Sequence, residues 1–343
     1  MSFVTLNNGK ILGDGQNPYI VAEMNSSHGG NMETAKEMIL AAKRAGCDGV
    51  KFQSWSAESL YSQSYYKENR MAKKLVKKFS LSETDLLELS GFCMENEIDF
   101  SSTPYSESEV DFLADRCGAP YIKIASMDID NFPFLEYIAK KGVPVVLSTG
   151  MASYDEVKKA VHTIEDAGNE QICILHCVSV YPAAPQLIHL RNMTYLKKLF
   201  PDYPVGYSDH TMGTEIACAS AALGACMIEK HFTLDRSSIG MDNQMAAQPQ
   251  EMADLVNQCR NVYRAMGDEQ RHLSEDENKQ AALMRRSVVA RCGMKSGEEI
   301  ELSKITAKRP GTGVPAGEYE KLIGRKLNRD IKADEMILWQ DIV

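Results

Sequence analysis

The sequence lacks any long apolar run. No stretch of its 343 residues approaches the roughly 18–20 consecutive apolar residues that a membrane-spanning helix needs. The segment Met1–Thr5 also lacks the basic region followed by an apolar stretch that marks a secretory signal. We therefore expect a cytoplasmic protein that works away from membranes.

An excess of positive charge is absent as well. The chain has 38 Lys and Arg against 47 Asp and Glu, a formal net charge of −9. Domains that bind nucleic acid backbones are usually basic, so we expect no nucleic-acid partner, while a local cationic pocket stays compatible with this balance. The apolar share of 44% and the charged share of 25% are ordinary for a globular protein and disfavour disorder or a coiled coil.

The cysteines follow neither a disulfide nor a zinc pattern. There are nine, an odd number, scattered without a C-x-x-C spacing, and most have apolar neighbours. This usage indicates reduced, buried thiols in a reducing compartment. The seven histidines are therefore the better candidates for metal ligands.

Eight strand-like runs alternate with helix-like runs between about residue 19 and residue 266. The predicted strands are Tyr19–Met24, Gly49–Ser54, Asp99–Pro104, Tyr121–Ser126, Pro144–Gly150, Ile172–Val178, Pro204–His210 and Met227–Thr233. Apolar residues at helical spacing fill Met32–Ala45, Thr84–Glu95, Ser108–Arg116, Phe134–Lys140, Tyr154–Ile164 and Gln250–Met266. Eight such units in about 250 residues match a (β/α)₈ barrel. An open doubly wound sheet is the alternative, but Glu23–Gly30 lacks the G-x-G-x-x-G fingerprint that often follows its first strand.

Two stretches lie outside this repeat. Residues 55–81 form a long insertion after the second strand, and a polar, charged run begins at Gly267. We predict a barrel domain with an N-terminal extension over residues 1–266, a linker over 267–286 and a compact, mostly irregular β module over 287–343. A module of this size is marginally stable alone, so we expect it to dock on another surface.

Polar residues mark the ends of the predicted strands, where (β/α)₈ barrels carry their reactive groups. They are Glu23, Lys51, Thr103, Lys123, Ser126, Ser148, His176, Ser208, His210, Glu229 and His231. Two lysines and several hydroxyls at one barrel mouth suit a ligand with phosphate and carboxylate groups. A desolvated lysine can also be a nucleophile, so a Schiff-base aldolase is a competing interpretation.

Two of the histidines come from neighbouring strands. His210 and His231 end predicted strands seven and eight, beside Glu23 and Asp242. Two imidazoles placed this way can bind one divalent cation, with oxygen ligands or water at its other positions. The sequence therefore predicts a metal site.

These residues belong to a longer series of motifs by which the chain resembles the sialic acid synthases, phosphoenolpyruvate-condensing enzymes that make nine-carbon keto sugar acids. The matching motifs are Ile20–Glu23, Val50–Gln53, Ser102–Tyr105, Ile122–Ser126, Leu147–Met151, Leu175–Cys177, Tyr181–Pro182, Gly206–Thr211, Glu229–Asp235 and Lys308–Gly311. They occur in family order over nearly the whole length, which makes the resemblance specific.

The resemblance implies a (β/α)₈ barrel followed by a small antifreeze-like (SAF) β module over residues 287–343. It also implies a domain-swapped homodimer in which the module of one chain covers the barrel mouth of the other. Arg309 would then act in the partner's site. We expect phosphoenolpyruvate and an N-acetylated hexose as the small-molecule substrates.

The same resemblance assigns roles to residues of this chain. Glu23 is the acid/base, and His210 and His231 bind a divalent metal, Mn²⁺ first, with Mg²⁺ or Co²⁺ as alternatives. Phosphoenolpyruvate is assigned to Lys51, Thr103, Lys123, Ser126, Ser148 and Ser208. Further substrate contacts are assigned to Asp128, Ser179, Tyr181 and Asp242. This chain departs from the commoner family pattern at Ser27, Asp128, Ser179 and, most of all, over Gly240–Gln244, which puts the sugar in question more than the reaction.

The hypothesis is therefore a nonulosonic acid synthase. The acceptor stays open between N-acetylmannosamine, its 6-phosphate and the 6-deoxy-diacetamido hexoses that lead to legionaminic or pseudaminic acid. Two other classes remain as alternatives, a Schiff-base aldolase or lyase that uses Lys51 or Lys123, and a non-catalytic sugar- or ice-binding protein built on the C-terminal module.

Overall fold

A computed structural model describes residues 2–343, which form two compact units, one up to Gly267 and the other Asp268–Val343. The first unit opens with an antiparallel hairpin of β1 (Phe3–Thr5) and β2 (Ile11–Gly13). Eight parallel strands follow. They are β3 (Tyr19–Glu23), β4 (Gly49–Gln53), β5 (Asp99–Thr103), β6 (Ile122–Ile124), β7 (Val145–Ser148), β8 (Ile172–Cys177), β9 (Val205–Asp209) and β10 (Met227–His231). All eight predicted strands are confirmed, each one to three residues shorter than expected.

The strands are arranged as a nearly closed barrel. The order of hydrogen-bonded neighbours is β5-β4-β3-β10-β9-β8-β7-β6, so only β5 and β6 share no ladder. The hydroxyl of Ser101 in β5 donates to the carbonyl of Tyr121, just before β6, at 3.5 Å, which brings these two strands together. Almost every strand residue is buried, as expected of a parallel sheet with packed faces on both sides. The (β/α)₈ prediction is confirmed.

Helices connect the strands. They are α1 (Met32–Ala45), α2 (Gln63–Glu68), α3 (Arg70–Phe79), α4 (Glu83–Glu95), α5 (Glu107–Asp111), α6 (Phe132–Lys140), α7 (Tyr154–Asp166), α8 (Pro185–Ile188), α9 (Arg191–Leu199), α10 (Glu215–Ala222) and α11 (Pro249–Met266). The predicted helix over 108–116 is α5 continued by a π-helical turn, Phe112–Arg116. The insertion after β4 contains α2 and α3, and Trp55 and Phe79 belong to a small core of its own. None of the helices in the described part of the chain has the length and apolar character needed to cross a bilayer.

The barrel interior changes character along its axis. Near the amino ends of the strands it is apolar, with Val21, Tyr121 and Leu175 in one buried cluster. Leu6 and Leu12 of the N-terminal hairpin segment pack into the same cluster and form its floor. The carboxyl ends carry buried charged and hydroxyl side chains instead, so the chemistry collects at one end of the barrel.

The second unit contains a helix, a small sheet and its own core. Helix α12 spans Glu275–Met284, and β11 (Ser287–Ala290) pairs antiparallel with β12 (Ile305–Lys308). Its core contains Val288, Ile300 and Leu322 among other buried apolar residues. The second unit is compact, as expected, and the predicted linker over 267–286 contains α12, whose N-terminus Ser274 caps by accepting from the N–H of Glu277.

Candidate active site

A cavity of about 400 Å³ opens at the carboxyl ends of the barrel strands. Its walls include almost every residue that the sequence singled out. These are Glu23, Lys51, Thr103, Lys123, Ser126, Ser148, Ser179, Tyr181, Ser208, His210, His231 and Asp242. Since they come from all eight barrel strands or the loops that follow them, the parallel barrel is what brings them together.

Each of the two lysines has a hydroxyl partner at the next strand. The Lys51 ammonium donates to Thr103 Oγ1 at 3.1 Å, and the Lys123 ammonium donates to Ser148 Oγ at 2.7 Å. Both lysines are 3% exposed, which is rare for a lysine unless a carboxylate is near. The hydroxyls and ammonium groups therefore form one buried donor surface.

Glu229 is the carboxylate that both lysines share. Its Oε2 lies 3.7 Å from Lys51 Nζ, its Oε1 lies 4.0 Å from Lys123 Nζ, and Oε1 also accepts from Ser208 Oγ at 3.0 Å. Burial raises the pKa of Glu229, but the two ammonium groups outweigh it and hold that pKa below its usual value. The Glu229 carboxylate therefore stays ionised between the lysines.

Glu23 is held by a short relay of hydrogen bonds. Its Oε1 accepts from Gln53 Nε2 at 3.0 Å, and Gln53 Oε1 accepts from Trp55 Nε1 at 2.6 Å and from the Tyr105 hydroxyl at 3.1 Å. An indole N–H can only donate, so it fixes the amide with its oxygen toward Trp55 and its NH₂ toward Glu23. Burial raises the pKa of Glu23 although Lys51 makes an ion pair with it, which favours a carboxyl group able to hold a proton.

His210 and His231 face each other across the mouth, with ring centroids 5.3 Å apart. His210 Nδ1 lies 2.8 Å from the Val178 carbonyl oxygen, an acceptor only, so Nδ1 carries a proton and Nε2 of the neutral ring keeps its lone pair. Burial and the neighbouring positive charges push the pKa of His231 far below its usual value. Burial lowers the pKa of His210, but its contacts with Cys177 and the Val178 carbonyl outweigh burial and raise that pKa. His231 therefore offers a lone pair directly, and His210 offers one when its ring is neutral.

Asp242 is carried by a loop that is tied to the segment after β3. Asn25 Nδ2 donates to Asp242 Oδ2, Ser26 Oγ accepts from the N–H of Met241 at 2.9 Å, and Ser27 Oγ donates to Asn243 Oδ1 at 2.6 Å. Asp242 Oδ2 lies 3.9 Å from His231 Nδ1. Two of the residues that depart from the family pattern, Ser27 and Asn243, thus contact each other beside the loop that brings Asp242 to the cavity.

The hydroxyl groups of Ser126 and Ser179 both lie close to the backbone of Gly150. Gly150 N donates to Ser126 Oγ at 3.0 Å. A Cβ at Gly150 would lie 2.2 Å from Ser179 Oγ and 2.7 Å from Ser126 Oγ, so a side chain there would displace both hydroxyls. Glycine at 150 is therefore needed for this wall of the cavity.

Two predicted residues of the barrel unit, Asp128 and His176, lie outside the cavity walls. Asp128 follows β6 in a 3-10 turn and accepts from Asn131 Nδ2 at 3.4 Å, with its Oδ2 buried and unpartnered within residues 2–343. Arg309 belongs to the second unit, where its side chain is exposed. His176, a predicted strand-end candidate, is bonded through Nε2 to the Ile188 carbonyl at 2.7 Å and lines a neighbouring cavity instead.

The cavity also contains residues that had no predicted role. Gln53, Tyr61, Tyr105 and Cys177 line it, as do the methionines at 127, 151 and 241. Two-residue spacing could have pointed to Gln53, because it shares a strand face with the predicted Lys51. The tyrosines and methionines gave no comparable signal, since they lie on connecting segments.

The buried lysines and glutamates of this cavity add little to the free energy of unfolding, because the cost of removing ion pairs from water offsets the attraction within each pair. Their concentration at the carboxyl end of a (β/α)₈ barrel defines an enzyme site.

Residues 38–271 match the NeuB family and residues 285–343 match the SAF domain. The chain belongs to the NeuB family, and the family and fold class predicted from the sequence are confirmed.

Relatives match along nearly the whole chain. The chain is 35% identical to N,N'-diacetyllegionaminic acid synthase of Legionella pneumophila over 98% of both chains. It is 34% identical to human N-acetylneuraminate-9-phosphate synthase over 94% of this chain and 92% of that one. The crystal structure of N-acetylneuraminic acid synthetase from Leptospira borgpetersenii, in complex with citrate, superposes with a TM-score of 0.74 at 33% identity, covering 81% of this chain and 95% of that one.

Proposed function

We propose that this chain condenses phosphoenolpyruvate with the open-chain aldehyde of an N-acetylated hexose and releases a nonulosonic acid and phosphate. The observation that carries the proposal is the pair of buried lysines, each with a hydroxyl partner, in the same cavity as a pair of imidazoles. The membership of the NeuB family and the names of its relatives support it.

The donor surface suits phosphoenolpyruvate. Lys51, Lys123 and the hydroxyls of Thr103, Ser148 and Ser208 converge on one end of the cavity. Ammonium groups and short hydroxyls bind phosphate and carboxylate oxygens well. Glu229 holds the two lysines in position, and the hydroxyl of Ser126 borders the same surface. Binding then orients the enol carbon toward the mouth, and such orientation is worth several kcal/mol in a two-substrate reaction, on the order of 7–11 kcal/mol at most.

The imidazole pair fits a divalent metal, Mn²⁺ first, with Mg²⁺ or Co²⁺ as alternatives. His210 presents an Nε2 lone pair when neutral, and His231 has a lowered pKa that leaves it neutral. Among the described residues no three such side chains are placed to hold one ion, so water or substrate oxygens would complete the set beside the two nitrogens, as divalent metals accept, with the Asp242 carboxylate close to His231. When bound, such a cation would supply Lewis-acid polarisation of the acceptor's aldehyde.

In this proposal Glu23 transfers the protons of the reaction. The C3 atom of phosphoenolpyruvate forms a bond to the aldehyde carbon, and the aldehyde oxygen takes a proton from Glu23. A water molecule then adds at C2 and gives one proton back to the Glu23 carboxylate. The C2–O bond to the phosphate breaks, the remaining hydroxyl proton leaves with the phosphate, and C2 becomes the ketone. Gln53, fixed by Trp55, keeps the Glu23 carboxyl aimed at the cavity through these steps.

We extend the proposal to a domain-swapped homodimer in the cytoplasm. Arg309 is exposed and has no ion pair within residues 2–343, so its guanidinium is available to a ligand or partner chain. All nine cysteines are free thiols, which supports a reducing compartment. Light scattering would test the dimer, and mixing an R309A chain with an E23Q chain would test the swap, since only a shared site regains turnover.

The direct experiment incubates the protein with phosphoenolpyruvate, Mn²⁺ and an N-acetylated hexose. Release of inorganic phosphate together with a product mass equal to sugar plus the three-carbon acid supports the proposal. Absence of phosphate release with every sugar contradicts it.

One observation favours a second candidate, a Schiff-base aldolase. Burial, with the nearby Lys51 charge, lowers the pKa of Lys123, which is the state that a nucleophilic lysine needs. Borohydride trapping with a keto acid would label this lysine, and the activity would survive a chelator. Neither result is compatible with the proposed condensation.

A further inference from the structure

A buried ion pair lies on the outer side of the barrel sheet, behind the two histidines of the cavity. Lys230 Nζ donates to Asp209 Oδ2 at 2.7 Å, and the two side chains are 2% and 0% exposed. Successive side chains of a strand point to opposite faces, so this pair points away from the cavity that His210 and His231 line. It can therefore affect the site only through other residues.

The ladder between β9 and β10 ends at this ion pair. Its last partners are Asp209 and Lys230, so the next residue of each strand is one of the two histidines. His231 still belongs to a ladder on its other side, where it pairs with Glu23 of β3. His210 follows the last residue of β9 and lies outside the sheet. The position of its backbone therefore depends on contacts other than the strand ladder.

Side chains supply such contacts on both sides of His210. Asp209 Oδ1 accepts from the N–H of Thr211 at 2.9 Å, from Thr211 Oγ1 at 2.8 Å and from the Tyr207 hydroxyl at 3.0 Å. Lys230 Nζ donates to the Thr211 carbonyl oxygen at 2.5 Å as well as to Asp209. The residues before and after His210 are thus bound to each other and to β10.

Stability alone does not explain an ion pair in this place. The cost of removing two charges from water offsets their attraction, and apolar side chains of similar size often support a fold equally well. A charged pair differs from them in geometry, because its strong hydrogen bonds are directed. Here they converge on Thr211, directly after His210. The pair therefore fixes the separation of the His210 and His231 rings, whose centroids are 5.3 Å apart.

We propose, resting on the metal site proposed above, that Lys230 and Asp209 are positioning residues for that site. They hold His210 at the separation from His231 at which both imidazoles reach one divalent cation. Two nitrogen lone pairs bind one ion only when they point to the same place, and residues that orient metal ligands typically contribute 10–100-fold to metal affinity. The role is to set that affinity, and neither residue contacts the substrates.

The decisive variant replaces both charges. Lys230→Met combined with Asp209→Leu removes the ion pair without leaving a lone buried charge, so the unfolding free energy in urea should stay close to that of the wild type. Electron paramagnetic resonance of the free ion measures the binding of Mn²⁺ alone to metal-stripped protein. We expect the Kd of Mn²⁺ to rise at least about tenfold.

Mn²⁺ binding does not require turnover, so this result is independent of the proposed condensation. An unchanged Kd in the double variant overturns the positioning role and leaves the metal site standing. Wild-type protein that binds no Mn²⁺ overturns both, and the assay of phosphate release still tests the condensation separately.

The sign of the effect in a single variant separates positioning from charge. Lys230→Met leaves the Asp209 carboxylate without its partner, and an uncompensated negative charge attracts a cation. Electrostatics alone would therefore tighten Mn²⁺ binding, whereas loss of the hydrogen bonds to Thr211 weakens it. We expect the Kd to rise about tenfold, and tighter or unchanged binding contradicts the inference.

Two milder variants remove one hydrogen bond each and keep both charges. Tyr207→Phe deletes one hydroxyl donor to Asp209, and Thr211→Val deletes another at nearly the same shape. Three donors to Asp209 remain in each variant, so both should stay folded. Each should raise the Kd of Mn²⁺ about fivefold, the effect of one hydrogen bond, and an unchanged Kd in both overturns the inference.

Lys197→Met is the matched control. Lys197 Nζ also contacts a carboxylate and a backbone carbonyl, Asp14 Oδ1 at 2.9 Å and the Gly224 oxygen at 2.7 Å, but it does so before the amino end of β10. This variant should lower the unfolding free energy in urea and leave the Kd of Mn²⁺ unchanged. An equal loss of Mn²⁺ affinity here would mean that any destabilised barrel loses the metal, which overturns a specific role of Lys230 and Asp209.

Discussion

The hydroxyl of Ser27 donates a hydrogen bond of 2.6 Å to Oδ1 of Asn243, which joins the segment after β3 to the loop that carries Asp242. Asn243 also donates through Nδ2 to the Ser238 carbonyl at 3.1 Å, so its amide orientation is fixed on both sides. Both residues are departures from the family pattern. Their contact shows that the two changes form one local arrangement, beside the loop that brings Asp242 to the cavity.

Disrupting this contact should weaken acceptor binding. We expect Ser27→Ala and Asn243→Ala each to raise the KM of the acceptor about fivefold, the effect of one hydrogen bond. The double variant should be no worse than the poorer single one, since both remove the same interaction. Steady-state kinetics with each substrate varied in turn tests this, and a larger change in the KM of phosphoenolpyruvate than in that of the acceptor would contradict it.

His231→Ala should abolish turnover while the protein stays folded. We expect a loss greater than about 100-fold, beyond the 10–100-fold typical of residues that only support a metal ligand. His162→Ala is the matched control, because His162 is exposed on α7 and contacts the backbone of its own helix. Thermal melting should be similar in both variants. Wild-type activity that persists in chelator-treated, metal-free buffer would argue against the metal.

Trp55→Phe should leave the Glu23 carboxyl less firmly oriented, although Trp55 itself does not line the cavity. Removing the indole N–H leaves Gln53 Oε1 with the Tyr105 hydroxyl alone, so the amide can turn. We expect kcat to fall about fivefold, with a further fall of similar size when Tyr105→Phe is added. The KM of phosphoenolpyruvate should change little. Tyr65→Phe, on the exposed side of α2, is the control, and equal losses in that variant would rule the relay out.

Glu229→Gln should destabilise the barrel. Lys123 would lose the carboxylate nearest to it, and breaking a buried pair from one side costs about 3–5 kcal/mol of unfolding free energy. Urea denaturation measures this, with exposed Glu95→Gln as a control expected to stay within about 0.5 kcal/mol. Phosphoenolpyruvate should stabilise the Gln variant more than the wild type, because it restores a negative charge between the lysines. A smaller stabilisation would mean that Glu229 does not compete for them.

The sequence predicted the barrel and most of the cavity for a physical reason. Parallel strands are buried on both faces, so a lysine such as Lys51 or Lys123 at the end of an apolar run has no structural explanation and indicates chemistry. Closure of the barrel then brings the carboxyl ends of all the strands together. The grouping of these residues can therefore be predicted from the fold alone, without knowledge of side-chain positions.

Other features depended on three-dimensional contacts. The role of Gln53 follows only from the position of Trp55, and that of Glu229 from its lying between lysines of two other strands. Helix α12 was missed because all of its residues are partly or fully exposed and so show no apolar periodicity. Its start was nevertheless visible in Ser274 followed by acidic residues, a typical helix N-terminus.

The apolar floor formed by the N-terminal hairpin segment has a consequence at the far end of the barrel. Leu6 and Leu12 help to keep water from the interior beneath the lysines, and the field that an ammonium group exerts on a ligand grows as the surrounding medium becomes less polarisable. Leu6 and Leu12, which do not line the cavity, thus affect how strongly the lysine ammonium groups interact with a ligand. Selection for faster turnover can therefore act on the opening hairpin, a part of the chain where a survey of ligand contacts would not look.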